Sequence, residues 1–97
     1  MEISVNHALG KAEAKSRIQN LLVKLKQDFS DKISDETESW TEYNADYSFK
    51  LMGMKISGNV LVDESLVTIS GNLPFAVLPF KGMIESSIKS KAIELLK

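Results

Sequence analysis

Three runs of strict alternation between Ala45 and Leu73 restrict this chain more than any other feature it has. Ala45, Tyr47, Phe49 and Leu51 share one parity, then Met54, Ile56, Gly58, Val60 and Val62, then Val67, Ile69, Gly71 and Leu73. The positions between them are largely polar: Asp46, Ser48 and Lys50, then Lys55, Ser57 and Asn59, then Thr68, Ser70 and Asn72. A period of two sends successive side chains to opposite faces, so the segment reads as an antiparallel meander with one dry face and one wet face. Turns fix its register. A two-residue turn at Met52-Gly53 pairs Leu51 with Met54, hence Phe49 with Ile56 and Tyr47 with Gly58. A turn centred on Glu64-Ser65 pairs Val62 with Val67, hence Val60 with Ile69 and Gly58 with Gly71. A tight turn at Tyr43-Asn44 would set Trp40 opposite Tyr47.

One row of the dry face then reads Trp40, Tyr47, Gly58, Gly71. Two large aromatics stand beside two positions without side chains. Glycines inside strands mark close approach, either of a helix or of Tyr47 lying flat across them. The other reading is a groove with an aromatic wall that admits a ligand.

The flanking segments complete a two-layer design. Ile3 and Val5 alternate with Glu2, Ser4 and Asn6, which predicts a short first strand. From Gly10 the period changes: Ala14, Ile18, Leu21, Leu22, Leu25 and Phe29 recur at helical spacing. Gly10 can act as N-cap, and Glu13 favours the positive end of the helix. One helix is therefore expected over about Lys11 to Phe29. The stretch from Asp28 to Asp46 is rich in carboxylates but has no calcium-loop spacing, so it reads as a solvated loop and edge strand. If that strand is regular, Glu36, Glu38 and Trp40 share a face; a bulge or fraying there would turn the carboxylates to water. After Leu73, Phe80, Ile84, Ile88, Ala92 and Leu95 form a second helical stripe, widened by Met83 and Leu96. Pro79 suits its first turn, with Pro74 to Leu78 a short turn leading in; the alternative is a longer helix starting at Pro74 with a kink at Pro79.

The expected order is β-α-β-β-β-β-α. Both helices must cover the single dry face of a five-stranded, mainly antiparallel sheet of order 1-5-4-3-2. This is a single α+β domain over residues 1–97, resembling a minimal helix-grip fold. Fold alone does not assign function.

Composition narrows the chemistry. Twelve basic and thirteen acidic side chains leave a formal charge of -1, so no global field draws nucleic acid. No cysteine is present to form a disulfide or hold a metal. The N-terminus lacks a secretion signal, and no apolar run approaches the roughly 20 residues that span a bilayer. A cytoplasmic protein with no transmembrane segment is the expectation. His7 is the only histidine, with no nucleophile or oriented partner in sight, and reads as a packed or capping residue. No phosphate loop, nucleophile elbow or metal spacing occurs. The expectation is a non-enzyme without cofactor or metal.

The segment "LPFAVLPF", Leu73 to Phe80, holds both prolines and the densest apolar run. Two of its side chains can fill the core, while the surplus would form a contact patch. The alternative is that Leu22 and Phe29 of the first helix complete its burial. The candidate ligand- or surface-binding residues are thus Trp40, Tyr47, Phe49, Gly58, Gly71, Phe75, Leu78, Phe80 and Met83. They would meet an apolar ligand or surface, or else a second copy of the chain in a homodimer.

The entry "HALGKAEA" to the first helix, the "ESW" before the meander and the exit Asn72-Leu73-Pro74 occur in a telling order. With the segments around them, they make nearly the whole chain resemble the small polyhydroxyalkanoic acid system family of bacterial proteins. The resemblance implies association with polyhydroxyalkanoate storage granules. It brings no catalytic residues with it.

Overall fold

A computed structural model describes residues 1–97. Its elements are β1 (Glu2–Asn6), α1 (Lys11–Ile18), α2 (Leu21–Phe29), β2 (Ile33–Thr41), β3 (Asn44–Leu51), β4 (Met54–Val62), β5 (Leu66–Asn72) and α3 (Lys81–Leu95). Short 3-10 segments, Ser30–Lys32 and Phe75–Phe80, lead into β2 and α3. The strands form one antiparallel sheet of order β1-β5-β4-β3-β2, with the helices on one face. The α+β architecture and strand order are those expected.

Registers follow the turns. Leu51 pairs with Met54 across Met52 and Gly53, both at positive φ (52° and 82°), the geometry that suits the twist of a tight hairpin. Val62 pairs with Val67, and Gly58 lies opposite both Tyr47 and Gly71. The β2–β3 hairpin differs from expectation. Its turn is Glu42-Tyr43, with Glu42 at φ 53°, so Trp40 pairs with Ala45 and Glu38 with Tyr47. The expected aromatic row is therefore broken: Trp40 keeps its face but sits one row away from Tyr47.

The long first helix is also corrected. It splits at Gln19 and Asn20, where the Asn20 N–H bonds the Arg17 carbonyl at 3.2 Å and its side-chain amide reaches the same oxygen at 3.4 Å. An asparagine that hydrogen-bonds its own preceding turn competes with the helix ladder. The buried stripe Ala14, Ile18, Leu21, Leu25 passes through the break unbroken, so periodicity alone cannot reveal it. Pro79 lies inside the 3-10 segment and α3 starts at Lys81, two residues later than expected.

A bulge marks β2. Register shifts between Ser34 and Thr37, with Asp35 at φ 53°, so the strand changes phase there. Ile33 before the bulge and Trp40 after it both face the helices, paired with inward Leu51 and Ala45. The core is one cluster of 21 buried residues, and Tyr47 carries its only polar side-chain atom. That hydroxyl donates to the Ser70 carbonyl at 2.9 Å. This hydrogen bond offsets the cost of burying the hydroxyl.

Candidate functional site

The space above the paired glycines belongs to Tyr47. A Cβ built on Gly58 would lie 2.6 Å from the Tyr47 hydroxyl oxygen, and one on Gly71 would lie 3.0 Å from it. The glycines receive this side chain, stacked at 6.2 Å and 14° on Phe49. Burial pushes the Tyr47 phenol up to about 12. In the unfolded chain the same phenol ionises near pH 10. Its contribution to stability is thus complete below pH 10 and is lost as pH rises through 12. That loss is about 2–3 kcal/mol. Tyr47→Phe should flatten this alkaline decline, as read by urea unfolding at pH 9, 10.5 and 12.

A cleft opens one row further along. Ile18, Leu21, Leu22 and Leu25 roof it, Ala45, Val60 and Ile69 form its floor, and Trp40, Tyr47 and Ile88 close its sides. It exists because Ala45, the small residue of its row, sits between the two aromatics. Its free space is about 20 Å³, room for about one water. Glu38 is the one polar side chain of the lining and accepts a hydrogen bond from the Trp40 indole N–H. Glu36, also turned to the helix side, meets Lys26 of α2 at 2.8 Å. The Lys26 ammonium holds the Glu36 carboxyl below its ordinary value. The bulge is present as expected, but these carboxylates engage α2 and Trp40 as well as water.

Two lysines that sequence reasoning missed lie over the aromatics outside the cleft, without lining it. Lys15 Nζ stands 5.5 Å from the Trp40 ring centre and 5.6 Å from that of Tyr43, and Lys11 Nζ stands 5.3 Å from Tyr43. Ammonium groups over aromatic faces are attracted by the ring quadrupole. The signal was present: Lys11 and Lys15 are four apart, so they share one face of α1.

The apolar run lies elsewhere. β5 leaves the sheet at Asn72, paired with Ser57, and heads for the end marked by the Met52-Gly53 turn. Trp40 lies towards the opposite end. The nine candidate residues therefore do not form one groove. Within the run Val77 alone is buried, at 0% exposure; Phe75 is 89% exposed, Leu78 45% and Phe80 42%, followed by Met83 at 52%. One side chain fills the core where two were expected. Leu22 and Phe29 are half-buried against the core and leave the patch uncovered.

The patch has a further property. From Ser65 to Ile84 the chain holds no carboxylate, and Lys81 is its only charge. Pro74 and Pro79 have no N–H, the Val77 N–H bonds the Pro74 carbonyl at 3.0 Å, and the Lys81 N–H bonds Leu78. A backbone with few free donors loses little when water is removed. Behind the patch, α3 is clamped to α2: Ser87 donates to Asp28, and Lys91 Nζ lies 3.5 Å from it. The Ser87 hydroxyl, then Lys91, hold the Asp28 carboxyl below its usual range.

His7 is committed to the fold. Its Nδ1 accepts the Leu9 N–H at 3.2 Å, which leaves the ring proton on Nε2 to donate to the Asp63 carbonyl at 3.0 Å. No three metal-ligating side chains gather anywhere, and no helix is long and apolar enough to cross a membrane.

Comparison with known proteins gives one match. A family profile described as "Putative polyhydroxyalkanoic acid system protein" matches residues 1–96. No curated protein and no solved structure matches the chain.

Proposed function

Because this chain belongs to the polyhydroxyalkanoic acid system protein family, we propose that it is a non-catalytic protein that adsorbs to the apolar surface of polyhydroxyalkanoate granules. The observation that carries this reading is the exposed, acid-free patch of Phe75, Leu78, Phe80 and Met83. A single such side chain on a surface needs no explanation, but four within nine residues do. A polyester surface offers apolar area and ester carbonyls, and no fixed charge that lysines or carboxylates would have to match. Burying one Phe side chain there is worth about 1.5–3 kcal/mol.

Co-sedimentation of the purified protein with amorphous polyhydroxyalkanoate granules tests the reading, with phospholipid-coated apolar beads as control. The protein should pellet with the polymer. Phe75→Ser should weaken pelleting by about tenfold or more, with an unchanged circular dichroism spectrum, because Phe75 has almost no contact to lose. Equal pelleting with both supports would reduce the patch to a merely adhesive surface. Protein that stays in the supernatant, with a sedimentation mass that rises with concentration until Phe75 is replaced, would overturn the proposal in favour of a homodimer.

A further inference from the structure

We infer that the cleft beneath Trp40 is a second, separate binding site, and that its ligand is an amphiphile with a carboxylate head and an unbranched apolar tail. The lining sets the tail: ten of eleven residues are hydrophobic, and none of the floor offers a donor or acceptor. The cations outside the Trp40 wall set the head. Lys11 and Lys15 hold their ammonium groups over Tyr43 and Trp40, and neither has a carboxylate within ion-pair distance. Among the nearby carboxylates, Glu13 pairs with Arg17, Glu36 pairs with Lys26, and Glu38 accepts from the Trp40 indole. Two cations without anionic partners, beside an apolar slot, match an anionic head on an apolar tail.

The free space of about 20 Å³ decides how such a ligand enters. One water fits, so an alkyl chain must displace something. Trp40 is the movable wall. It is half-exposed on the edge strand and is held at its polar end by Glu38 and at its face by Lys15, both surface groups. The floor residues Ala45, Val60 and Ile69 are locked in the core. Glu38 would repel the head, so the carboxylate lies on the α1 side of the mouth, towards Lys15.

Trp40 is the only tryptophan in the chain, so its emission reports this cleft and not the distant Phe75 patch. The titrants are decanoate, decanol and decyltrimethylammonium, each below its micelle concentration. Decanoate should shift Trp40 emission saturably and bind best of the three. The double variant Lys11→Gln, Lys15→Gln should weaken decanoate about fivefold, the size of a partly exposed ion pair, and leave decanol unchanged. Glu38→Gln should tighten decanoate, and Phe75→Ser should leave the titration as it was. An unchanged emission with all three titrants, or equal binding of decanoate and decyltrimethylammonium, would overturn the assignment.

Discussion

Gly58→Ala should lower stability by about 3 kcal/mol, near the upper end for overpacking a core, and the thermal midpoint should fall by roughly 12–24 °C. The added methyl has nowhere to go: its carbon would sit 2.0 Å from the Ser70 carbonyl oxygen and 2.6 Å from the Tyr47 hydroxyl. The side chain could give way, but Ser70 is backbone in the middle of the β4–β5 ladder. Replacing Tyr47 as well therefore cannot relieve the strain in full. Gly82→Ala is the matched control. It lies in the first turn of α3 with nothing within 4 Å of a built Cβ. It should be neutral or slightly stabilising, by at most about 1 kcal/mol. Equal melting of the two variants would refute the packing described for Tyr47.

The second large effect sits inside the apolar run. Val77→Asp should leave the protein largely unfolded, whereas Phe75→Asp, two residues away, should change stability by no more than about 0.5 kcal/mol. Val77 has no exposure, so an aspartate there must either bury an unpaired charge or pull the segment off the core. Phe75 points into solvent. Urea unfolding followed by circular dichroism separates the two. A stable Val77→Asp would mean that the run does not dock through that residue. The pair also frees the granule experiment from its usual ambiguity, since Phe75→Asp alters the exposed patch without removing the fold.

Much of this was legible in the sequence, for identifiable reasons. The meander registers followed from Gly53, which suits the tight turn, and from the strict parity of the strands it joins. The β2–β3 register was not legible because Thr41-Glu42-Tyr43-Asn44 contains no glycine to place the turn. Asparagine enters the left-handed region more readily than glutamate, yet Glu42 takes it. A two-residue shift preserves parity, which is why the face of Trp40 was predictable and its row was not. The break at Gln19-Asn20 was hidden for a related reason: the apolar stripe needs no interruption for the helix to break. For the candidate site, the run from Leu73 to Phe80 announced a surplus of apolar side chains, but which of them is buried depends on how a 3-10 turn points them. The spacing of Lys11 and Lys15 put them on one face of α1, but that this face meets Trp40 and Tyr43 is a tertiary relation no local pattern encodes.

The β2 bulge has a consequence for crowding. A sheet of this order has two unpaired borders, and β2 is the longer of them at nine residues. Copies packed side by side on any surface would bring such borders together at high local concentration, the condition under which strands fuse into extended assemblies. At Asp35 the backbone leaves the extended conformation, so a neighbouring strand meets a discontinuous run of donors and acceptors. Asp35, paired with Lys50 at 3.3 Å, and Glu36, paired with Lys26, put charged side chains at this border that a second strand would have to accommodate. A dense coat of this protein would thus remain a collection of separately folded molecules, able to detach one at a time.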